Sequence, residues 1–244
     1  MPDKDAPQPE QLLEEQIAYY RARAAEYDEW VYRTGRYDHG SAANQQWRDE
    51  LAAVSQALAD FAPKGPVLEL AAGTGHWTGQ LLQQAETVTV VDAAPEMIAI
   101  NRARHGGDRI RYQQGDIFAF GPTSQFDVVF FGFWLSHVPP ERFAGFWNLV
   151  GRCLKPGGRV FFVDSLYNPV STARDQRLEG PEKPTTLRRL NDGREFRIVK
   201  VFYPPPELAA RLAELGWDVD VRATASHFVY GFGGLRVFHS VARS

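Results

Sequence analysis

The sequence predicts an α/β fold: a seven-stranded, mostly parallel sheet with helices on both faces and its last strand pair antiparallel. Three observations carry this. Short apolar runs alternate with helical stretches between residues 67 and 164, the pattern of a parallel sheet with right-handed crossovers. The first run leaves Leu70 through a Gly-x-Gly turn (Gly73, Gly75) into a helix-like segment. Several runs end at a carboxylate, namely Glu69, Asp92, Asp116 and Asp164.

Taken in order, residues 1–9 are polar and proline-rich and read as a disordered tail, unlike a secretory signal with its apolar middle. From 11 to 32, Leu13, Ile17, Tyr20, Ala24, Tyr27 and Val31 recur at steps of three and four, one face of an amphipathic helix. A second helix over 43–61 buries Trp47, Leu51, Val54 and Leu58, and Pro63-Lys64-Gly65-Pro66 stops it. These helices make residues 10–62 an N-terminal unit, leaving 63–244 as the main domain. Strands are expected near 67–70, 87–91, 109–114, 126–131 and 158–163, with helices near 77–84, 95–104 and 140–153. Residues 165–195 are polar and arginine-rich without clear periodicity. They open an insertion of about 165–200 that would lie over the carboxyl ends of the strands, where ligands sit in open α/β sheets. An apolar run (196–202), a stop at Pro204-Pro205-Pro206 and a helix ending at Gly216 follow. Two last strands, near 217–223 and 227–240, would pair as an antiparallel edge.

The chain has 244 residues, 44% hydrophobic and 23% charged, values of a soluble globular protein with a sizeable core. No run approaches the roughly 18 apolar residues of a membrane span. A net charge of −3 weighs against a nucleic-acid partner, which needs a basic surface. In the one arginine-dense segment, Arg188, Arg189, Arg194 and Arg197 are interleaved with Asp192 and Glu195. That segment reads as a solvated loop or an anionic-substrate contact. Cys153 is the single cysteine, so no internal disulfide is expected, and the location expected is cytoplasmic. The histidines show no ligand spacing, and no metal is expected.

The turn at Gly73 and Gly75 lets a nucleotide-like ligand approach the backbone. Asp92, ending the second run, sits where a ribose diol would lie. A dehydrogenase fingerprint G-x-G-x-x-G fails, because the next glycine is Gly79, one position late. The ordered set runs through Glu69–Gly75, Val88-Thr89-Val90-Val91-Asp92, Gly115-Asp116-Ile117, Phe126 to His137 and Leu154 to Asp164. It closely resembles the class I, Rossmann-like S-adenosylmethionine-dependent methyltransferases of the small-molecule type.

The resemblance implies S-adenosylmethionine as cofactor and S-adenosylhomocysteine as product. It implies that Glu69 faces the methionine end and that Ala71, Gly73, Gly75 and Trp77 lie along the glycine turn. Ala71 replaces the first glycine of the family's Glu-x-Gly-x-Gly-x-Gly, which a methyl tolerates if its φ is negative. Asp92 would bind the ribose, with Ala93 after it and Met97 against the adenine face. Asp116 and Ile117 would meet the adenine, and Phe131, Gly132 and Trp134 the sulfonium region. Tyr20, Arg23 and Tyr27, with Tyr19 and Trp30, resemble a lid over the cofactor. His137 is the candidate general base, since imidazole titrates near pH 6.5; its other reading is a cofactor-lining or structural histidine. Methyl transfer to O or N of a small-molecule acceptor is the leading expectation, with a homodimer as the assembly left open. A protein or tRNA methyltransferase and a non-catalytic S-adenosylmethionine-binding protein remain the alternatives.

Overall fold

The computed structural model describes residues 9–236. The expected tail of residues 1–9, apart from Pro9, and the expected extension of the last strand to 240 lie outside them. Helices α1 (Pro9–Arg23), α2 (Tyr27–Tyr32) and α3 (Ser41–Phe61) precede β1 (Pro66–Leu70). Next come α4 (Thr78–Leu81), β2 (Thr87–Asp92), α5 (Pro95–His105), β3 (Ile110–Gln114) and β4 (Phe126–Gly132). They are followed by α6 (Phe143–Cys153) and β5 (Leu154–Ser165), then the hairpin β6 (Thr185–Arg189) and β7 (Glu195–Val199). The last elements are α7 (Pro205–Glu214), β8 (Trp217–Ala223) and β9 (Phe228–Leu235).

The main sheet runs β3-β2-β1-β4-β5-β9-β8. Strands β1 to β5 pair in parallel, and β9 is antiparallel to both neighbours. The last two strands do pair antiparallel, but β9 lies inside the sheet and β8 alone forms the edge.

Because side chains alternate across a strand, neighbouring phenylalanines enter opposite cores. Phe131 and Phe162 stack at 5.6 Å beneath Trp147 of α6. Phe130 and Phe161 stack at 6.0 Å on the face covered by α3 through Trp47, Leu51, Val54 and Leu58. Helices therefore cover both faces.

Two expectations change. The helix expected over 11–32 is broken between Arg23 and Tyr27. Tyr19 packs with Leu190 and Ile198 of the hairpin region, whereas Trp30 and Val31 pack with Trp47. One straight helix cannot reach both clusters. The stretch 165–195 contains a strand: β6 pairs with β7 in register Leu187↔Arg197, closed through Asn191-Asp192-Gly193. That Asp-Gly turn is a hairpin signal which the polar composition obscured. No described helix is long and apolar enough to cross a membrane.

Candidate active site

At the carboxyl ends of the parallel strands, helix α1 and the loops after β1 to β4 line a cavity of about 700 Å³, counted with its open mouth. The turn after β1 brings in Ala71 and Gly73, and the end of β2 brings in Asp92 and Ala93, followed by Met97. Asp116 and Ile117 enter after β3, and Gly132, Trp134 and His137 after β4. Tyr20 and Tyr27 close it from the N-terminal side. The sequence reading missed Leu13, Gln16 and Ile17 of α1, together with Ala94 and Phe118. Only docking of α1 onto the site brings the first three there.

Ala71 has φ +52°, beside Gly73 at +55°. The expectation of a negative φ at Ala71 is thus corrected. An L-residue in the left-handed region costs about 1–2 kcal/mol, and the Ala71 N–H bond to the Val91 carbonyl (2.8 Å) helps hold it there. Phe133, between the strand and the His137 turn, has φ +57°. Both strained residues line the cavity, and such strain collects where surrounding structure over-determines a site.

Asp92 is buried, and burial raises its carboxyl pKa. It accepts from the N–H groups of Gly73 (2.9 Å) and Ala94 (2.8 Å), tying the glycine turn to β2 while still facing the cavity. Asp116 is exposed and caps its own turn by accepting from the Phe118 N–H at 2.9 Å.

Five of the expected cofactor-site residues do not line this cavity. Phe131 is fully buried on the α6 face of the sheet, because Phe130 and Gly132, its neighbours in the alternation, take the other side. Glu69 turns to α4 and accepts from the Thr78 hydroxyl at 2.6 Å; burial pushes its pKa up to about 8. Gly75 faces α5, where a Cβ would lie 2.8 Å from the His105 ring. Trp77 packs beneath Gly132, whose hydrogen is what allows the indole that close. Arg23 lines a second cavity instead.

That second cavity, of about 490 Å³, shares Tyr20, Tyr27, Phe133 and His137 with the first. Beyond them it reaches Tyr37, Thr172, Arg188 and Lys200. His137 stands at the junction. Its Nδ1 lies 2.7 Å from the Val199 carbonyl, which only accepts, so Nδ1 carries the hydrogen and Nε2 presents a lone pair. The Tyr20 hydroxyl, 2.7 Å away, donates to that lone pair. Burial first, then Lys200, holds the imidazole pKa well below its ordinary 6.5. Gln16 braces this corner, donating to the His137 carbonyl (3.2 Å) and accepting from the Val199 N–H (3.1 Å).

A methyltransferase-domain family model matches residues 67–158. A solved complex of DhpI with SAM and HEP is 39% identical, covering 93% of this chain and 99% of that chain at a TM-score of 0.77. The chain belongs to the class I S-adenosylmethionine-dependent methyltransferases. A demethylmenaquinone methyltransferase of Clavibacter sepedonicus is 34% identical over 134 residues, 54% of this chain and 52% of that protein. The chain thus spans about half of that relative's length. A 1,6-didemethyltoxoflavin N1-methyltransferase of Burkholderia thailandensis shares the fold, at 19% identity and a TM-score of 0.61, over 96% of this chain and 92% of that one.

S-adenosylmethionine is the cofactor of this family, and the DhpI relative was solved with SAM. The first cavity fits it on two observations. A carboxylate, Asp92, faces the cavity from the end of β2. The turn at Gly73 leaves open space, since a Cβ there would meet only the Tyr27 ring, at 3.8 Å.

Proposed function

We propose that the enzyme moves the methyl group to an oxygen or nitrogen of a small-molecule acceptor held in the second cavity. The observation that carries this is that the two cavities adjoin, sharing Tyr20, Tyr27, Phe133 and His137 in their linings, with α1 lining both and the β6–β7 hairpin lining the second. Closed pockets suit compact acceptors and exclude water. In this reading Asp92 accepts from the ribose hydroxyls, Met97 and Ile117 flank the adenine, and Asp116 accepts from its amino group. The cover of α1, with Tyr20 and Tyr27, acts as the lid.

The bound cofactor supplies an electrophilic methyl on a sulfonium. An acceptor lone pair would take that methyl as the carbon–sulfur electron pair passes to sulfur, with the acceptor held by the residues that line the second cavity. Holding the acceptor in line is much of such a reaction. The proton of a hydroxyl or amine acceptor passes to the Tyr20 hydroxyl as that hydroxyl gives its own to His137 Nε2. The tautomer set by Val199 keeps this nitrogen free to receive it. That a 39% identical relative was solved as a complex with both SAM and HEP supports a second ligand in this enzyme too.

The test is S-adenosylhomocysteine formation with a panel of small hydroxyl and amine acceptors, run beside protein and tRNA substrates. Turnover is expected with small molecules. Turnover confined to protein or tRNA would overturn the proposal.

A further inference from the structure

We propose that the acceptor carries an oxyanion, and that Arg23, Arg188 and Lys200 form the subsite that holds it. The ligand class is a small molecule with a phosphate, phosphonate, sulfonate or carboxylate group. This rests on the second cavity being the acceptor site.

Three cations, from α1, β6 and the residue after β7, line that cavity, and among the described residues no carboxylate does. Arg23 of α1 is 8% exposed. Its Nη2 donates to the Tyr37 hydroxyl at 3.2 Å, while its Nε is buried with no partner. Its guanidinium sits among the rings of Tyr19, Tyr27 and Tyr37, 4.9 Å from the second, and among the described residues no acid pairs with it. Lys200, just after β7 and 7% exposed, donates to the Ser136 hydroxyl at 2.8 Å. Its nearest acid, Asp164, stands 3.7 Å off and already accepts from the N–H groups of Ser136 and Ser165.

Arg188 of β6 separates itself from the arginines around it. Arg189, Arg194 and Arg197 turn outward to Asp175 (3.0 Å), Asp192 (2.8 Å) and Glu179 (3.9 Å). Arg188 turns inward, donating to the Thr172 hydroxyl and to Gln176 Oε1. Burying Arg23 with no acid beside it is costly, and the half-buried Arg188 and the single carboxylate at Lys200 add to that cost. An entering oxyanion removes that cost, and two guanidinium groups with a hydroxyl rim match its several acceptor oxygens.

Proton coupling follows from the same placement. Lys200 faces Asp164 from β5, His137 from the turn after β4, Arg188 from β6 and Arg23 from α1. Burial lowers its pKa to about 8, with Arg188 and Arg23 pushing the same way against Asp164. A bound oxyanion restores the ammonium, so binding near that pH takes up a proton.

The experiment is calorimetry of the S-adenosylhomocysteine-loaded protein against inorganic phosphate, methylphosphonate, methanesulfonate and acetate, with glycerol as the neutral control. At least one oxyanion is expected to saturate a site and glycerol none. Arg188→Gln and Lys200→Met should each weaken that oxyanion by about tenfold or more, Lys200→Arg should keep most of the affinity, and S-adenosylhomocysteine affinity should stay within about twofold. Near pH 8, two buffers of different ionisation enthalpy should report uptake of about half a proton, lost in Lys200→Met. Should a variant misfold, ion selectivity and proton uptake in the natural protein decide. Absence of any oxyanion site overturns the proposal. So does loss of S-adenosylhomocysteine binding in the variants, which would give these cations to the cofactor's own carboxylate. Failure of the natural protein to bind S-adenosylhomocysteine at all would instead strike the cofactor assignment of the first cavity.

Discussion

Replacing Asp92 by asparagine isolates the charge at the cofactor site. The carboxylate accepts from Gly73 N–H and Ala94 N–H at 2.9 and 2.8 Å and still faces the cavity. Asn has nearly the same shape, but only one acceptor atom, and its amide NH₂ would face one of those N–H donors. In the proposed role, the ribose hydroxyls lose a charged acceptor. Hydrogen bonds to charged groups contribute about 1.5–3 kcal/mol, so Asp92→Asn should weaken S-adenosylhomocysteine by about 10- to 150-fold. Burial raises the Asp92 pKa, so the natural protein should also lose affinity on acidification sooner than an ordinary aspartate would dictate. Calorimetry near neutral pH measures the affinity, and a thermal melt confirms that the variant is folded at the titration temperature. A folded variant that binds within about twofold of the natural protein refutes the ribose role. Asp92 would then be a clamp between β2 and the glycine turn and nothing more.

Ala71→Gly should raise stability by up to about 1.5 kcal/mol, because relief of about 1–2 kcal/mol of left-handed strain exceeds about 0.4–1 kcal/mol of added unfolded-chain entropy. A lower melting temperature would contradict the strain. Glu69 has a folded pKa of about 8 against an ordinary 4.5. Its neutral form therefore favours the fold below the lower value, and that advantage drains away as pH rises to the upper one. Glu69→Gln should accordingly gain in melting temperature relative to the natural protein across that window, and a pH-independent difference would sink the burial argument. His137→Ala should lower turnover by about 10²- to 10⁴-fold with cofactor affinity little changed. The natural enzyme's rate should stay level as pH falls through 6.5, since burial and Lys200 hold the imidazole pKa well below that. An acid limb at 6.5 would contradict the buried, neutral imidazole, and a large loss of S-adenosylhomocysteine affinity would contradict the base.

Local signals carried the fold a long way. The breaks at Pro63 to Pro66 and the apolar runs ending at Asp92 and Asp116 are written in consecutive residues, so strand positions and the glycine turn were legible. The position of β9 inside the sheet was not, because a strand's neighbours depend on pairing across the whole sheet. The break between Arg23 and Tyr27 has no glycine or proline to announce it. It follows from two separate docking surfaces, β7 for Tyr19 and Trp47 for Trp30.

At the site, alternation explains the mixed outcome. Phe131 was expected at the cavity because the resemblance puts the segment leaving the fourth strand at the sulfonium region, yet a strand sends adjacent side chains to opposite faces, and Phe131 packs in the α6 core. His137 was readable as a candidate base. Its tautomer depends on the Val199 carbonyl, its hydrogen-bond donor on Tyr20 and its lowered pKa on burial first and then on Lys200, and all three partners are more than 60 positions away in the chain.

The sequence by itself determined the sheet-forming runs, the glycine turn with its acidic strand ends, and hence the methyltransferase family. These are signals of a few adjacent residues, and the backbone geometry they demand is local. Only the tertiary structure decided that Arg188 faces inward while its arginine neighbours meet surface acids, and that Arg23 and Lys200 join it beside His137. Charge alone cannot tell an arginine held at the surface from one turned into a cavity. The difference lies in which carboxylates the fold brings within reach, and among the described residues it brings none to Arg23 or Arg188 around this cavity.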